Sequence, residues 1–170
     1  MRRFRKTTNI PGAGAGFTLF ELLIVVGIMV LVFGFAIASF NTFNRRERLQ
    51  QAALNLKSAL RLAQSQAVSA EKPSLGCKTF VGMRVTFTIG VTSSYSLQHE
   101  CSDGDVGSVV TTILPSDVTY ISSPLPFTFM ALSRITSLAA DQNIQLTNTH
   151  ETYTIQVTTN GEINDIGFSK

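Results

Sequence analysis

The side chains able to do chemistry are few and gather mostly in the second half of the chain. His99, Glu100, Asp103 and Asp105 surround Ser102-Asp103-Gly104-Asp105, where oxygen ligands at Asp-x-Asp spacing could hold calcium. The twelve-residue EF-hand pattern is absent, so the stretch reads as a solvated turn and no metal is assigned. His150 stands alone beside Glu151 and reads as surface. With 2 cysteines and 2 histidines in 170 residues, a multi-cysteine zinc site is excluded. Cys77 and Cys101 show neither C-x-x-C spacing nor a neighbouring base, which argues against redox or nucleophilic work. In an oxidising compartment they are expected to form a disulfide, whose closed loop would stabilise by about 3 kcal/mol. No G-x-S-x-G, H-E-x-x-H or Gly-rich nucleotide motif occurs beyond Pro73, so no enzyme activity and no cofactor are expected. The GAGAG run over Gly12–Gly16 lacks the strand and the Lys-Ser/Thr that make a phosphate-binding loop.

The remaining reactive position is Glu21, the one charge in FTLFELLIVVGIMVLVFGFAIASF from Phe17 to Phe40. As a helix that run is about 36 Å long, enough to cross a hydrocarbon core of roughly 30 Å, so it is expected to span a membrane. A carboxylate at the centre of such a helix costs about 2.5 to 3.5 kcal/mol, less near an end, and asks for a reason. Glu21 could be held by the macrodipole at the helix start, or it could meet an opposite charge. Gly27, Gly34 and Ala38 fall on one face and would permit close helix packing. An ordinary secretory cleavage after Ala36-Ile37-Ala38, releasing a domain that starts at Ser39, leaves Glu21 without a purpose.

Charge has to be placed before it is used. Net charge is +3, but Arg2, Arg3, Arg5 and Lys6 crowd the start ahead of the turn-prone Ile10-Pro11-Gly12. Were residues 1–16 removed, the balance would become slightly acidic, so the basic pI is no sign of nucleic-acid binding. Residues 41–72 carry a positive excess and 73–170 a negative one, which suits contacts between copies.

Gly16-Phe17-Thr18-Leu19-Phe20-Glu21-Leu22-Leu23, behind a short basic leader and before an apolar run, resembles the processing site of type IV prepilins and type II secretion pseudopilins. The resemblance implies cleavage between Gly16 and Phe17 by a prepilin peptidase and N-methylation of Phe17. It implies that Glu21 neutralises the terminal amine of a neighbouring subunit. The partners implied are other pilin or pseudopilin subunits, that peptidase and an assembly platform in the inner membrane. With the cysteines it places the N-terminus inside and residues 73–170 outside the cytoplasm.

Behind Phe40 the helical pattern continues with no Gly or Pro until Pro73. Leu49, Ala53, Leu56, Leu60, Ala63, Ala67 and Ala70 form one stripe, its alanines small enough for a sheet to lie close. Leu54 and Leu62 point away from it and are expected either to lie under a loop or to meet neighbouring stems in a filament. A single helix to Glu71, about 80 Å long, is expected to serve as a stem. Beyond Pro73 eight strands are expected: 79–89, 95–100, 109–114, 118–121, 127–132, 144–147, 153–158 and 162–166. Asn160-Gly161 is a type I′ hairpin signal between the last two.

The expected fold class is therefore α+β: a long N-terminal α-helix, membrane-spanning in its first half, packed against a C-terminal antiparallel β-sheet domain. The expected divisions are a leader (1–16), a transmembrane half-helix (17–40), an amphipathic stem (41–72) and a β-rich head (73–170). The stem end and the final YTIQVTTNGEIN are similar to H-type pseudopilins and FimT-like minor pilins. Some of the latter carry a basic, DNA-associated motif after the last head glycine; Gly161-Glu162-Ile163-Asn164 departs from it and argues against DNA. The function expected is that of a minor pilin or pseudopilin, the alternative being an anchored or secreted β-domain that binds a surface ligand without polymerising.

Overall fold

The computed structural model describes residues 17–73 and 76–169, with side chains described throughout except over 35–41. The chain divides into two compact units, Met1–Phe40 and Asn41–Lys170. Helix α1 carries the bounds Leu19–Val68, and its side chains are described in two stretches, 19–34 and 42–68, one in each unit.

This overturns the expected fold class. In place of one long N-terminal helix laid on a sheet there are two short helical stretches, 19–34 and 42–68, and an eight-stranded antiparallel region. Among the described residues no helix is long and apolar enough to cross a membrane. Within the second unit, Leu49, Ala52, Ala53, Leu56, Leu60, Ala63 and Ala67 of the stretch 42–68 are buried against the strands.

The helix also stops earlier than Glu71. The Glu71 N–H donates to the Gln66 carbonyl at 3.1 Å and the Ala70 N–H to the Ala67 carbonyl at 3.1 Å, with Ala70 at φ 50°. That pair of bonds is a Schellman cap, which satisfies carbonyls the helix end leaves open. Pro73 therefore comes after a helix already closed. Its signal was hidden because alanine fills the left-handed position where glycine is usual.

The second unit holds all eight expected strands. They are β1 (Phe80–Thr88), β2 (Ser94–Cys101), β3 (Gly104–Ile113), β4 (Thr119–Tyr120), β5 (Phe127–Met130), β6 (Gln142–Thr147), β7 (Thr152–Val157) and β8 (Ile163–Ser169). They form two four-stranded sheets rather than one, in the orders β3-β2-β1-β5 and β4-β6-β7-β8, every pairing antiparallel. Strand β3 starts well before the expected Val109 because Cys101 pairs with Gly104 in a tight reversal, where Gly104 takes φ 120°.

Period-two alternation sorts the faces. Met83, Val85 and Phe87 are buried from β1, as are Tyr153, Ile155 and Val157 from β7, while Ile89 lies past the end of β1 and is exposed. The helix stripe and both sheets share one core, in which Phe87 meets Tyr120 edge-on across the sheets.

The last two strands pair as expected, through a different turn. The Gly161 N–H donates to the Thr158 carbonyl at 2.9 Å and the Thr158 N–H to the Glu162 carbonyl at 3.0 Å. Gly161 has φ 81°, whereas Asn160 is not in the left-handed region. A type I′ turn needs both central residues there, so this is the three-residue loop that closes with a left-handed glycine.

Candidate assembly surface

Helix α1 opens on Thr18. The Glu21 N–H donates to Thr18 Oγ1 at 3.2 Å and the Leu22 N–H to the Thr18 carbonyl at 3.1 Å. Thr18-x-x-Glu21 thus supplies the first half of a capping box, with a carboxylate in the positive first turn. Glu21 gains a local role at the helix start that its backbone alone performs.

Beyond this cap the first helical stretch is apolar and uncovered. Phe17 is 78 % exposed, Leu19 83 % and Phe20 72 %, and the large side chains onward to Phe33 are exposed too. A Cβ added at Gly27 or Gly34 would meet nothing within 4 Å, so both positions open onto free space. Gly16 lies outside the described residues, as does the side chain of Ala38. Ten or more bulky apolar residues along one helix exceed the isolated exposed side chains found on any soluble surface.

On the second stretch the outward face is also settled. Leu54 is 44 % exposed and Leu62 54 %, so no loop among the described residues covers them. Basic residues of the same stretch turn toward the sheets instead. Arg46 lies 3.7 Å from Glu151, Arg48 lies 3.6 Å from Asp117, and Lys57 donates to Asp165 at 2.8 Å. Part of the charge difference between helix and strands is thus met within one chain.

Several polar groups of the second unit are likewise occupied. Cys77 and Cys101 form a disulfide with Cα atoms 5.6 Å apart. Arg84, which sequence reasoning passed over, bridges Glu100 and Asp105, the latter at 2.9 Å, and Glu100 also accepts from Thr128 Oγ1. Register explains the grouping: Arg84 stands near Glu100 and Thr128 across the outer face of β2-β1-β5. These residues line a shallow concavity of about 620 Å³ with Val81, Pro126 and Met130. Asp103 accepts from the Lys78 N–H at 3.3 Å, and His99 packs on Phe80. Among the described residues no group of three or more His, Cys, Asp or Glu could hold a metal.

Comparisons with protein-family models, with curated proteins and with solved structures gave no match.

Proposed function

We propose that this chain is a minor structural subunit of a type IV pilus or type II secretion pseudopilus, working by assembly. The observation that carries this is the bare apolar helix start: the side chains from Phe17 to Phe33 are exposed, behind a Gly16-Phe17 junction and around a single charge, Glu21. Apolar surface of that extent is favourable only when covered. A bundle of like helices covers each copy with its neighbours, and Gly27 and Gly34 let backbones approach.

In this reading a prepilin peptidase cuts between Gly16 and Phe17 and the new Phe17 amine is methylated. The Glu21 carboxylate, whose capping bond uses only its N–H, then faces the Phe17 amine of an adjacent subunit. Pairing removes the large cost of leaving either charge alone among apolar side chains. The disulfide supports an extracytoplasmic position for the strands, since such bonds persist where the medium oxidises. An assembly platform and the other subunits are its partners.

The test is the intact mass and N-terminal sequence of the protein recovered from its own cells. A methylated Phe17 start is expected. A start at Ser39, or retention of Met1, overturns the proposal and favours a β-domain that does not polymerise.

A further inference from the structure

An open strand edge is a template for another strand, and one edge here is open in an unusual way. β5 is closed off: the Met130 N–H donates to the Ile135 carbonyl at 3.0 Å and the Ser137 N–H to the Thr128 carbonyl at 2.9 Å. β4 is only two residues long, and β8 carries Asp165, which is engaged by Lys57. β3 pairs with β2 on one side, and among the described residues no strand pairs with its other side.

The free side of β3 holds five consecutive β-branched residues, Val109-Val110-Thr111-Thr112-Ile113, and no charged residue occurs from Val106 to Ser116. Val109 is 50 % exposed, Val110 61 % and Ile113 65 %. Backbone direction follows from one bond. The Leu114 N–H donates to the Ser93 carbonyl at 2.8 Å, so strand alternation turns Thr112 and Val110 toward β2 and the N–H and C=O groups of Thr111 and Ile113 outward.

We propose that two copies of this chain pair edge to edge through Val109–Ile113, antiparallel and centred on Thr111, joining their first sheets into one. A second copy fits because the pairing is self-complementary. Centring on Thr111 sets it opposite itself, Val110 opposite Thr112 and Val109 opposite Ile113, so β-branched residues meet at every rung. Like charges opposite one another are the usual bar to self-pairing, and this segment has none. The contact is two-fold and closes on itself, so it does not build a filament and does not rest on the proposed function.

The full-length protein in detergent tests it. In Thr111→Cys the two new thiols sit on residues whose Cα atoms are about 5.5 Å apart across a hydrogen-bonded pair, within disulfide reach. Mild oxidation should give a covalent dimer, while Ser123→Cys on an exposed loop should not. Adding Val110→Lys and Ile113→Lys should cut the cross-linked fraction at least tenfold. Hydrogen exchange needs no substitution: the Thr111 and Ile113 amides should be protected in concentrated protein and lose protection on dilution. Four outcomes each overturn the proposal: no covalent dimer, cross-linking equal to that of Ser123→Cys, fast exchange at all concentrations, or Thr111→Cys trapping a different protein in cells. None of them bears on where the mature chain starts.

Discussion

Two buried tyrosines show how far a single hydroxyl can differ in worth. Tyr153 Oη donates to Asp165 Oδ1 at 2.6 Å, and Lys57 holds the other oxygen at 2.8 Å. Burial first, then the bond to Asp165, pushes the Tyr153 hydroxyl up to about 12. The Lys57 ammonium first, then Tyr153, holds the Asp165 carboxyl below its usual value. Tyr120 Oη is buried with no hydrogen-bond partner among the described residues. An unpaired buried hydroxyl destabilises, whereas one bonded to a carboxylate contributes about 1.5 to 3 kcal/mol. Tyr153→Phe should therefore lower unfolding stability by about 2 kcal/mol, and Tyr120→Phe should leave it unchanged or raise it; denaturant titration measures both. The pH dependence has a definite sign. Because Asp165 is depressed in the folded state, its contribution is complete above about pH 4, the ordinary carboxylate value, and fades as pH falls through the folded value. Tyr153, being raised, stabilises below about pH 10 and loses that contribution as pH climbs toward its folded value. None of this trio was legible in the sequence, since Lys57 and Asp165 meet only once β8 is laid beside the helix.

Elements end where local chemistry lets them, and two left-handed turn positions here are filled in opposite ways. Ala70 occupies the left-handed cap position at φ 50°, a conformation that costs a residue with a Cβ about 1 kcal/mol. Ala70→Gly should stabilise by up to about 1 kcal/mol, because the strain relieved outweighs the added freedom of the unfolded chain. Gly161 is the converse, since an added Cβ would lie 1.6 Å from the Arg134 carbonyl oxygen at φ 81°. Gly161→Ala should cost more than about 2 kcal/mol, combining backbone strain with displacement of Arg134. Thermal melts of the two variants should shift in opposite directions. Strand positions were legible because alternation at Val85 and Phe87, or Tyr153, Ile155 and Val157, records burial directly. Their division into two sheets was not, because β1 pairs with β5 and β4 with β6 across intervening chain, and alternation is blind to partners.

At the scale of the molecule, the helix stripe from Leu49 to Ala67 could be read from spacing, and so could the outward direction of Leu54 and Leu62. Charge pairing within the chain could not, since net charge by segment says nothing about which residues face each other. With Arg46, Arg48 and Lys57 paired to Glu151, Asp117 and Asp165 of the same chain, the proposed assembly assigns its contact between copies to the apolar positions on the opposite face. Leu54 is 44 % and Leu62 54 % exposed, so Leu54→Glu with Leu62→Glu removes little buried area. Glutamate and leucine also have similar helix propensities. Exposed substitutions of this kind change stability by about 0.5 kcal/mol or less each, so the melting curve of the variant should overlay that of the parent. Two carboxylates forced against an apolar neighbour, by contrast, must be desolvated without partners, at a cost of several kcal/mol. Incorporation into sheared filaments should therefore be lost while the folded subunit accumulates normally. Normal incorporation, or a melting transition lowered by more than about 2 kcal/mol of stability, would remove Leu54 and Leu62 from the assembly surface.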